Sequence, residues 1–226
     1  MGSSLLSESL LVFRKDLQIE RRSRVAMAQV APFAFLVLII FAFSLDGDLA
    51  TLKRLTSGLY WIAVLFSALL IIQRAFTLES QDGVRDALRL SGLHPNAIFL
   101  GKTAAIFLQI VVIEVLLGLG VVVFYSAELT GWGLLLATAA VAPVGIAAAG
   151  TLYGVLTAGL RVKETLLPIL LLPALAPLLI AATRISGSAL GEVAVNGWSW
   201  FNFLAIFALL YVGLGLIAFT PLLEES

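Results

Sequence analysis

Long apolar runs separated by short polar stretches dominate this chain of 226 residues. Six of the runs approach the roughly 20 residues that an α-helix needs to cross about 30 Å of hydrocarbon. The runs are continuous rather than alternating, which excludes a transmembrane β-barrel. The pattern therefore predicts an all-α integral membrane protein with six transmembrane helices, near Ala26–Leu45, Ser57–Gln73, Lys102–Tyr125, Trp132–Leu160, Leu166–Thr183 and Trp198–Pro221.

A charged segment that precedes the first span also has helical spacing. Leu6, Leu10, Phe13 and Leu17 recur three or four positions apart, while charged side chains crowd the other positions. A helix of this kind lies in the headgroup plane of a membrane. We therefore predict an amphipathic elbow helix over residues 5–25 that leads into the first span.

A second polar helix is predicted between the second and third spans, over residues 79–93. Val84 and Leu88 form one stripe of this segment, and charged side chains face elsewhere. Gly92 and Pro95 end the helical pattern. A polar helix with a few apolar anchors suits docking into the groove of a partner protein, and a solvated loop helix without a partner is the alternative.

Lys and Arg are distributed unequally between the two sides of the predicted spans. Eleven lie in the N-terminal segment and in the second and fourth connections, against three elsewhere. Because cytoplasmic loops carry the excess of Lys and Arg, both termini are predicted to be cytoplasmic. All four Trp residues then fall at the outer ends of predicted spans: Trp61, Trp132, Trp198 and Trp200. They could form an interfacial aromatic belt, or an outer surface that binds an apolar ligand or a partner.

Composition excludes several classes of function. The chain is 61% hydrophobic and 12% charged, whereas soluble domains are about 25% charged. A net charge of zero argues against nucleic-acid binding. With no Cys, the chain lacks the residues for a disulfide or a thiolate metal site. Its only His, His94, lies beside Pro95 in a predicted cytoplasmic loop, where it is not expected to activate a Ser nucleophile or to complete a haem axial pair. We expect a non-catalytic protein that binds no cofactor of its own.

Two predicted spans carry signals for helix packing. The fifth span contains three prolines, each of which removes a backbone hydrogen-bond donor: Pro168, Pro173 and Pro177. They predict a kinked or broken helix. The kink could act as a hinge, or it could only help the helix pack against its neighbours. Small residues at four-residue spacing in the fourth span let helices approach closely, either within the chain or at a dimer face: Gly150, Gly154 and Ala158.

Glu114 is the one carboxylate predicted deep in a span, near the middle of the third. An ionisable residue inside a membrane is a candidate functional residue, here a proton carrier or a partner contact. The alternative is a carboxyl bonded to a neighbouring helix. Without a second buried ionisable residue, a proton relay and an ion-coupled secondary transporter are poorly supported.

Gly101–Lys102–Thr103 matches the end of a nucleotide-binding P-loop. The first glycine of that motif falls on Asn96, and no strand precedes it, so a phosphate-binding loop is not expected. Lys102 is predicted instead to be an interfacial anchor whose ammonium extends to the headgroups.

Several short motifs resemble the haem exporter protein B family, the CcmB permeases of cytochrome c maturation. Phe13 to Leu17 resembles the elbow of that family, and Gly159 to Arg161 with the proline-rich fifth span resembles its fourth connection and the helix that follows. Gly92 departs from the family pattern, which usually has Pro there. The cytoplasmic loop carries the remaining motifs, Phe76–Thr77–Leu78–Glu79, Asp82–Gly83, Leu88–Arg89–Leu90–Ser91–Gly92–Leu93 and Leu100–Gly101–Lys102.

The resemblance implies that residues 1–226 form a single ABC-2-type permease domain in a bacterial inner membrane. Two copies of the family's permease pair with two ATPase chains (CcmA-like), a haem-handling membrane protein (CcmC-like) and a small helper (CcmD-like). The complex drives haem toward a periplasmic chaperone, and haem is its substrate. The helix over 79–93 would be the coupling helix seated in the ATPase, with the contacts Glu79, Asp82, Gly83, Val84, Arg85, Leu88 and Arg89.

Two other functions remain open from the sequence. An ABC-2 permease for a different substrate, such as a lipid-linked glycan or a drug, would share the fold and the coupling helix. A membrane scaffold without transport would share only the fold. No span holds a His, a Cys or a suitable pair of ligands for haem iron. We therefore expect partner chains to supply any iron ligands.

Overall fold

A computed structural model of the chain describes residues 4–23, 26–44, 48–81, 92–158, 160 and 162–225. Within these ranges the regular structure is entirely helical. The helices are α1 (Leu5–Ser23), α2 (Ala31–Ser44), α3 (Leu49–Gln81), α4 (Pro95–Tyr125), α5 (Trp132–Ala158), α6 (Lys163–Ala189) and α7 (Gly197–Glu225), with a π-helix over Ala26–Val30 that leads into α2.

Five helices of the described residues are long and apolar enough to cross a membrane. The first predicted span is not among them. Helix α2 has 14 residues, and the apolar helical segment that it forms with the end of the π-helix covers only Ala28–Ser44. At 1.5 Å per residue, the 17 residues Ala28–Ser44 extend about 26 Å, a little less than a hydrocarbon core of about 30 Å. The five long spans are Leu49–Thr77, Pro95–Tyr125, Trp132–Ala158, Thr165–Ala189 and Gly197–Leu222.

Four helices extend beyond the predicted spans: α3, α4, α6 and α7. Helix α3 begins at Leu49, eight positions before the predicted Ser57, because Asp48 caps it. One carboxylate oxygen of Asp48 accepts from the Ala50 backbone N–H at 3.0 Å, and the other accepts from the Thr51 hydroxyl at 2.6 Å. The bonds from Thr51 hold the pKa of this exposed carboxyl below its usual value. An apolar run marks the part of a helix that meets lipid, whereas capping groups decide where the helix begins.

Helix α6 runs without a break through its three prolines, so of the predicted kink or break, the break does not occur. Proline is tolerated in a membrane helix where neighbouring groups compensate for the disturbed backbone. The hydroxyl of Tyr211, on α7, donates to the backbone carbonyl of Ala174 between two of these prolines.

Helix α5 packs closely against α3 through small residues. A side chain at Gly150 would overlap Ile72, and a side chain at Gly154 would overlap the ring of Phe76. Ala158, the third residue of that predicted face, is half-buried. The contacts seen at both glycines therefore lie within one chain.

We call the end of the bundle that holds α1 and the start of α4 the basic end. The far end, where α4 is connected to α5 and α6 to α7, is called the opposite end.

Candidate functional site

The basic end is built on a close approach between α1 and α4. A Cβ atom at Gly101 would lie 2.5 Å from the backbone oxygen of Ser9 and 2.7 Å from the Cβ of Val12. Real side chains do not approach so closely, and glycine is therefore required for this contact. Val12 is the buried apolar residue of α1 at this point. We call this contact, with the polar bonds described next, the α1–α4 joint.

Lys102 forms the centre of the joint. Its side chain is 3% exposed, and its Nζ lies 3.3 Å from Oδ2 of Asp16 on α1. The same ammonium lies 5.0 Å from the centre of the Phe76 ring, a cation–π distance. The prediction that Lys102 extends to the headgroups is wrong, because a partly buried carboxylate and an aromatic face hold it inside the protein.

Glu8 ties α1 to the beginning of α4. Its Oε2 accepts from the backbone N–H of His94 at 2.9 Å. His94 is the N-cap of α4: its Nδ1 accepts from the Asn96 backbone N–H at 3.2 Å, and Pro95 occupies the first turn. Two carboxylates of α1 therefore fix the first turns of α4, one through the backbone and one through Lys102.

Phe76 connects this joint to the rest of the bundle. It lies on α3 near the end that leads into residues 82–91, contacts Lys102 on one side and fills the space above Gly154 on the other. The chain enters the segment 82–91 beyond Phe76 and leaves it before His94. The residues on both sides of the predicted coupling segment therefore contact the α1–α4 joint, Phe76 through Lys102 and His94 through Glu8.

The predicted coupling residues lie mostly outside the described part of the chain. Glu79 belongs to the last turn of α3, which continues to Gln81, and its side chain is not described. Gly92 has a φ of +70°, which suits glycine at the end of a helix. The remaining predicted contacts fall in the segment that the structure does not describe: Asp82, Gly83, Val84, Arg85, Leu88 and Arg89.

The opposite end is tied by a different carboxylate. Glu192, in the turn after α6, accepts from the Ser57 backbone N–H at 3.0 Å and from the Ser57 hydroxyl at 2.5 Å. Partial burial raises the pKa of Glu192 above its usual value, and the bonds from Ser57 offset part of that rise. Nearby, Lys53 and Glu128 form an exposed ion pair at 2.9 Å that lowers the pKa of Glu128.

The four Trp residues do not share one environment. Trp132 and Trp198 are 57% and 56% exposed, and Trp200 is half-buried. Trp61 is only 3% exposed, and its indole N–H donates to the Ser186 hydroxyl at 3.0 Å. The prediction that Trp61 belongs to an outer aromatic surface is therefore wrong, because this side chain joins α3 to α6 inside the bundle.

Glu114 lies midway along α4 with a buried side chain. Neither carboxyl oxygen has a hydrogen-bond partner among the described residues. The hydroxyl of Tyr60 donates to the backbone carbonyl of Glu114 at 3.2 Å and leaves the side chain unbonded. Buried polar atoms almost always have partners, so packing alone does not explain this carboxyl.

The described residues hold no group of three His, Cys, Asp or Glu that could ligate a metal.

The pairs Asp16–Lys102 and Ser57–Glu192 were not predicted from the sequence. Their partners are 86 and 135 positions apart, and no local pattern connects them.

These features define a class: a multi-pass α-helical membrane protein whose basic end is fixed by the ion pair of a buried lysine, beside the connection between two spans. The model of the CcmB protein family matches residues 7–225, and the chain belongs to that family.

Similar proteins named heme exporter protein B occur in several bacteria. The protein of Haemophilus influenzae is 29% identical over 188 residues, which cover 83% of this chain and 85% of the relative. The protein of Escherichia coli K12 is 29% identical over 187 residues, with the same coverage. The protein of Paracoccus denitrificans is 30% identical over 174 residues, covering 74% of this chain and 76% of the relative.

Proposed function

We propose that this protein is the permease subunit of an ABC transporter complex that exports or delivers haem for cytochrome c biogenesis. The observation that carries the proposal is the family match over nearly the whole chain, together with relatives named as haem exporters that align over most of their own length. The membrane would be the bacterial inner membrane, with both termini in the cytoplasm, as the distribution of Lys and Arg predicts.

We propose that residues 79–93 dock into an ATPase subunit and that the α1–α4 joint receives the resulting motion. The segment is flanked by Phe76 and His94, each of which contacts the joint or belongs to it. A displacement of the segment would therefore act on α1, α3 and α4 together. Packed helices transmit such displacements because dense interiors do not deform continuously.

Haem is the substrate in this proposal, and iron ligands come from a partner. The single His of the chain, His94, uses its Nδ1 as a helix cap, and the chain has no Cys. A haem-handling membrane protein and a small helper would complete the complex, with two permease copies at its centre. The exposed Trp132 and Trp198 and the half-buried Trp200 are candidates for the contact with that partner at the opposite end.

Deletion of the gene tests the substrate. We expect covalent c-type cytochromes, measured by haem staining after denaturing electrophoresis, to be lost and to return with the wild-type gene. Normal cytochromes in the deletion strain would reject the haem assignment and favour an ABC-2 permease for another substrate.

Affinity purification in mild detergent tests the partners. We expect an ATPase chain to copurify with the wild-type protein and to be lost after charge reversal at Glu79 and Asp82. An equal reversal at Lys53 and Arg54, at the opposite end, is the control and should retain the ATPase. A scaffold without transport would retain its partners in both variants.

A second purification tests the haem contact. The isolated chain is mixed with haem, and its absorption spectrum is measured. We expect no axially ligated species, and tight axial ligation would contradict the assignment of the iron ligands to a partner.

A further inference from the structure

The exposed face of α1 has two chemically different halves. Toward the N-terminus it presents Leu6, Leu10 and Leu11, of which Leu6 is 77% exposed. Toward the C-terminus it presents an open cleft of about 470 Å³ lined by Arg14, Leu17, Gln18, Arg21 and Arg22. At 100° per residue, Leu10, Arg14 and Arg21 fall within about 40° of one another on the helix. An apolar row therefore continues directly into a basic row.

The acidic residues of α1 do not neutralise this basic row. Two of the three acidic residues of α1, Glu8 and Asp16, point to the other side of the helix, where they bind the His94 backbone and Lys102. The third, Glu20, is half-buried and is not among the residues that line the cleft. The three arginines of the cleft are exposed and form no ion pair with any residue that the structure describes. The α1–α4 joint thus separates Glu8 and Asp16, on its inner side, from the three exposed arginines.

We propose that this face is a binding site for an anionic phospholipid, with the phosphate of the headgroup on Arg14, Arg21 and Arg22 and an acyl chain along Leu6 and Leu10. A phospholipid has the same sequence of chemistry as the face: an anionic head followed by an apolar tail. Arginine binds phosphate through several N–H donors at once. An amphipathic helix with basic side chains is also the element that recognises anionic lipid at a membrane surface.

The site would have a consequence for the joint. A lipid that binds the outer face of α1 holds the same helix that carries Glu8 and Asp16 on its inner face. The position of α1 against α4 would then depend on the anionic lipid content of the membrane. This proposal rests on the membrane location of the chain and not on haem as its substrate.

Lipid titration of the detergent-solubilised full chain tests the site. Phosphatidylglycerol is titrated in parallel with phosphatidylcholine, and native mass spectrometry counts the bound lipids. The variant carries Arg14→Gln, Arg21→Gln and Arg22→Gln. The matched control removes three cations from the opposite end: Lys53→Gln, Arg54→Gln and Arg184→Gln. Size-exclusion profiles and circular dichroism check that both remain folded.

We expect the variant to bind phosphatidylglycerol about a hundredfold more weakly, since each basic side chain near an anionic surface contributes roughly fivefold. The control should remain within a few-fold of wild type, and phosphatidylcholine binding should not change. Glycerophosphoglycerol, which is the headgroup without acyl chains, and inorganic phosphate should compete poorly.

Three results would overturn the proposal. Equal phosphatidylglycerol binding in variant and control would show that the arginines are not the site. Full competition by inorganic phosphate would show a site for a small anion and not for a lipid. Retained phosphatidylglycerol binding, with loss of a copurifying protein in the variant alone, would assign the face to a protein partner.

Discussion

Lys102 and Glu114 are ionisable side chains buried in the same helix, α4, and the protein treats them in opposite ways. Lys102 contacts a carboxylate on α1 and an aromatic ring on α3. Glu114 has neither oxygen bonded to any described residue. Burying a charge costs several kcal/mol unless a partner offsets it. The comparison separates a charge that holds helices together from a carboxyl that packing does not require.

The first region is built in layers around its charge. Gly101 brings the backbones of α1 and α4 together, Asp16 then reaches Lys102, and Phe76 covers the ammonium. The surroundings of Glu114 show no comparable arrangement, so the two residues should respond differently to the loss of their charge.

The largest effect is expected from Lys102→Met, which removes the buried partner of Asp16 and leaves this partly buried carboxylate with Lys15 alone, at 3.0 Å. Breaking a fully buried pair from one side costs about 3–5 kcal/mol, and the remaining contact of Asp16 with Lys15 should reduce this loss. Thermal denaturation of the purified chain in detergent measures the loss. Asp16→Asn combined with Lys102→Met should restore part of the stability, because no carboxylate is then left without the ammonium of Lys102, although Lys15 loses the same carboxylate.

The ion pair of Lys53 with Glu128 at the opposite end is the matched control for this prediction. Its side chains are 45% and 78% exposed, and exposed pairs contribute little. Lys53→Met should leave the denaturation temperature nearly unchanged. An equal loss in Lys102→Met and Lys53→Met would contradict the distinction between the two ends.

Gly101→Ala is expected to have the next largest effect. The added Cβ would displace α1 and lengthen the approach of Asp16 to Lys102, and overpacking typically costs about 1–3 kcal/mol. Gly118→Ala is the control on the same helix, since nothing lies within 4 Å of the Cβ that it adds. Alanine also favours the helix over glycine, so Gly118→Ala should be neutral or stabilising in the same denaturation assay. Equal stability of the two variants would show that the close approach is not required.

The sequence predicted the helical membrane class because apolar length is a local property of the chain. It did not predict where α3 begins, since the cap at Asp48 and not hydropathy decides that position. Lys102 and Trp61 were both assigned to the membrane interface because each lies at the edge of an apolar run. Their partners, Asp16 and Ser186, lie 86 and 125 positions away, and only the packing of helices shows that they meet.

A smaller effect, dependent on pH, is expected at Glu192 of the opposite end. Its pKa is raised in the folded protein, so the folded state binds more protons than the unfolded state between the usual glutamate pKa of about 4.3 and the raised value. This contribution to stability is present below that window and is lost as the pH rises through it. The stability of wild type relative to Glu192→Gln should therefore fall with rising pH in thermal denaturation.

Glu128 provides the opposite sign for the same experiment. The ammonium of Lys53 lowers the pKa of Glu128, so its contribution is present above the usual pKa and is lost as the pH falls. The stability of wild type relative to Glu128→Gln should therefore rise with pH. Parallel pH profiles for the two variants would contradict the assigned environments.

The smallest effect on stability is expected from Glu114→Gln, and it tests the other half of the comparison. Glutamine has nearly the same shape as glutamate and carries no charge, so it removes the cost of a buried carboxylate and breaks no observed bond. The denaturation temperature should stay the same or rise. A fall in denaturation temperature as large as that of Lys102→Met would show that Glu114 has a structural partner.

The same variant also tests a role in function. If stability is kept while the amount of c-type cytochromes falls in a strain that carries only the variant, the carboxyl acts in transport or in contact with a partner protein. Normal cytochromes would instead leave Glu114 as a tolerated polar residue of α4.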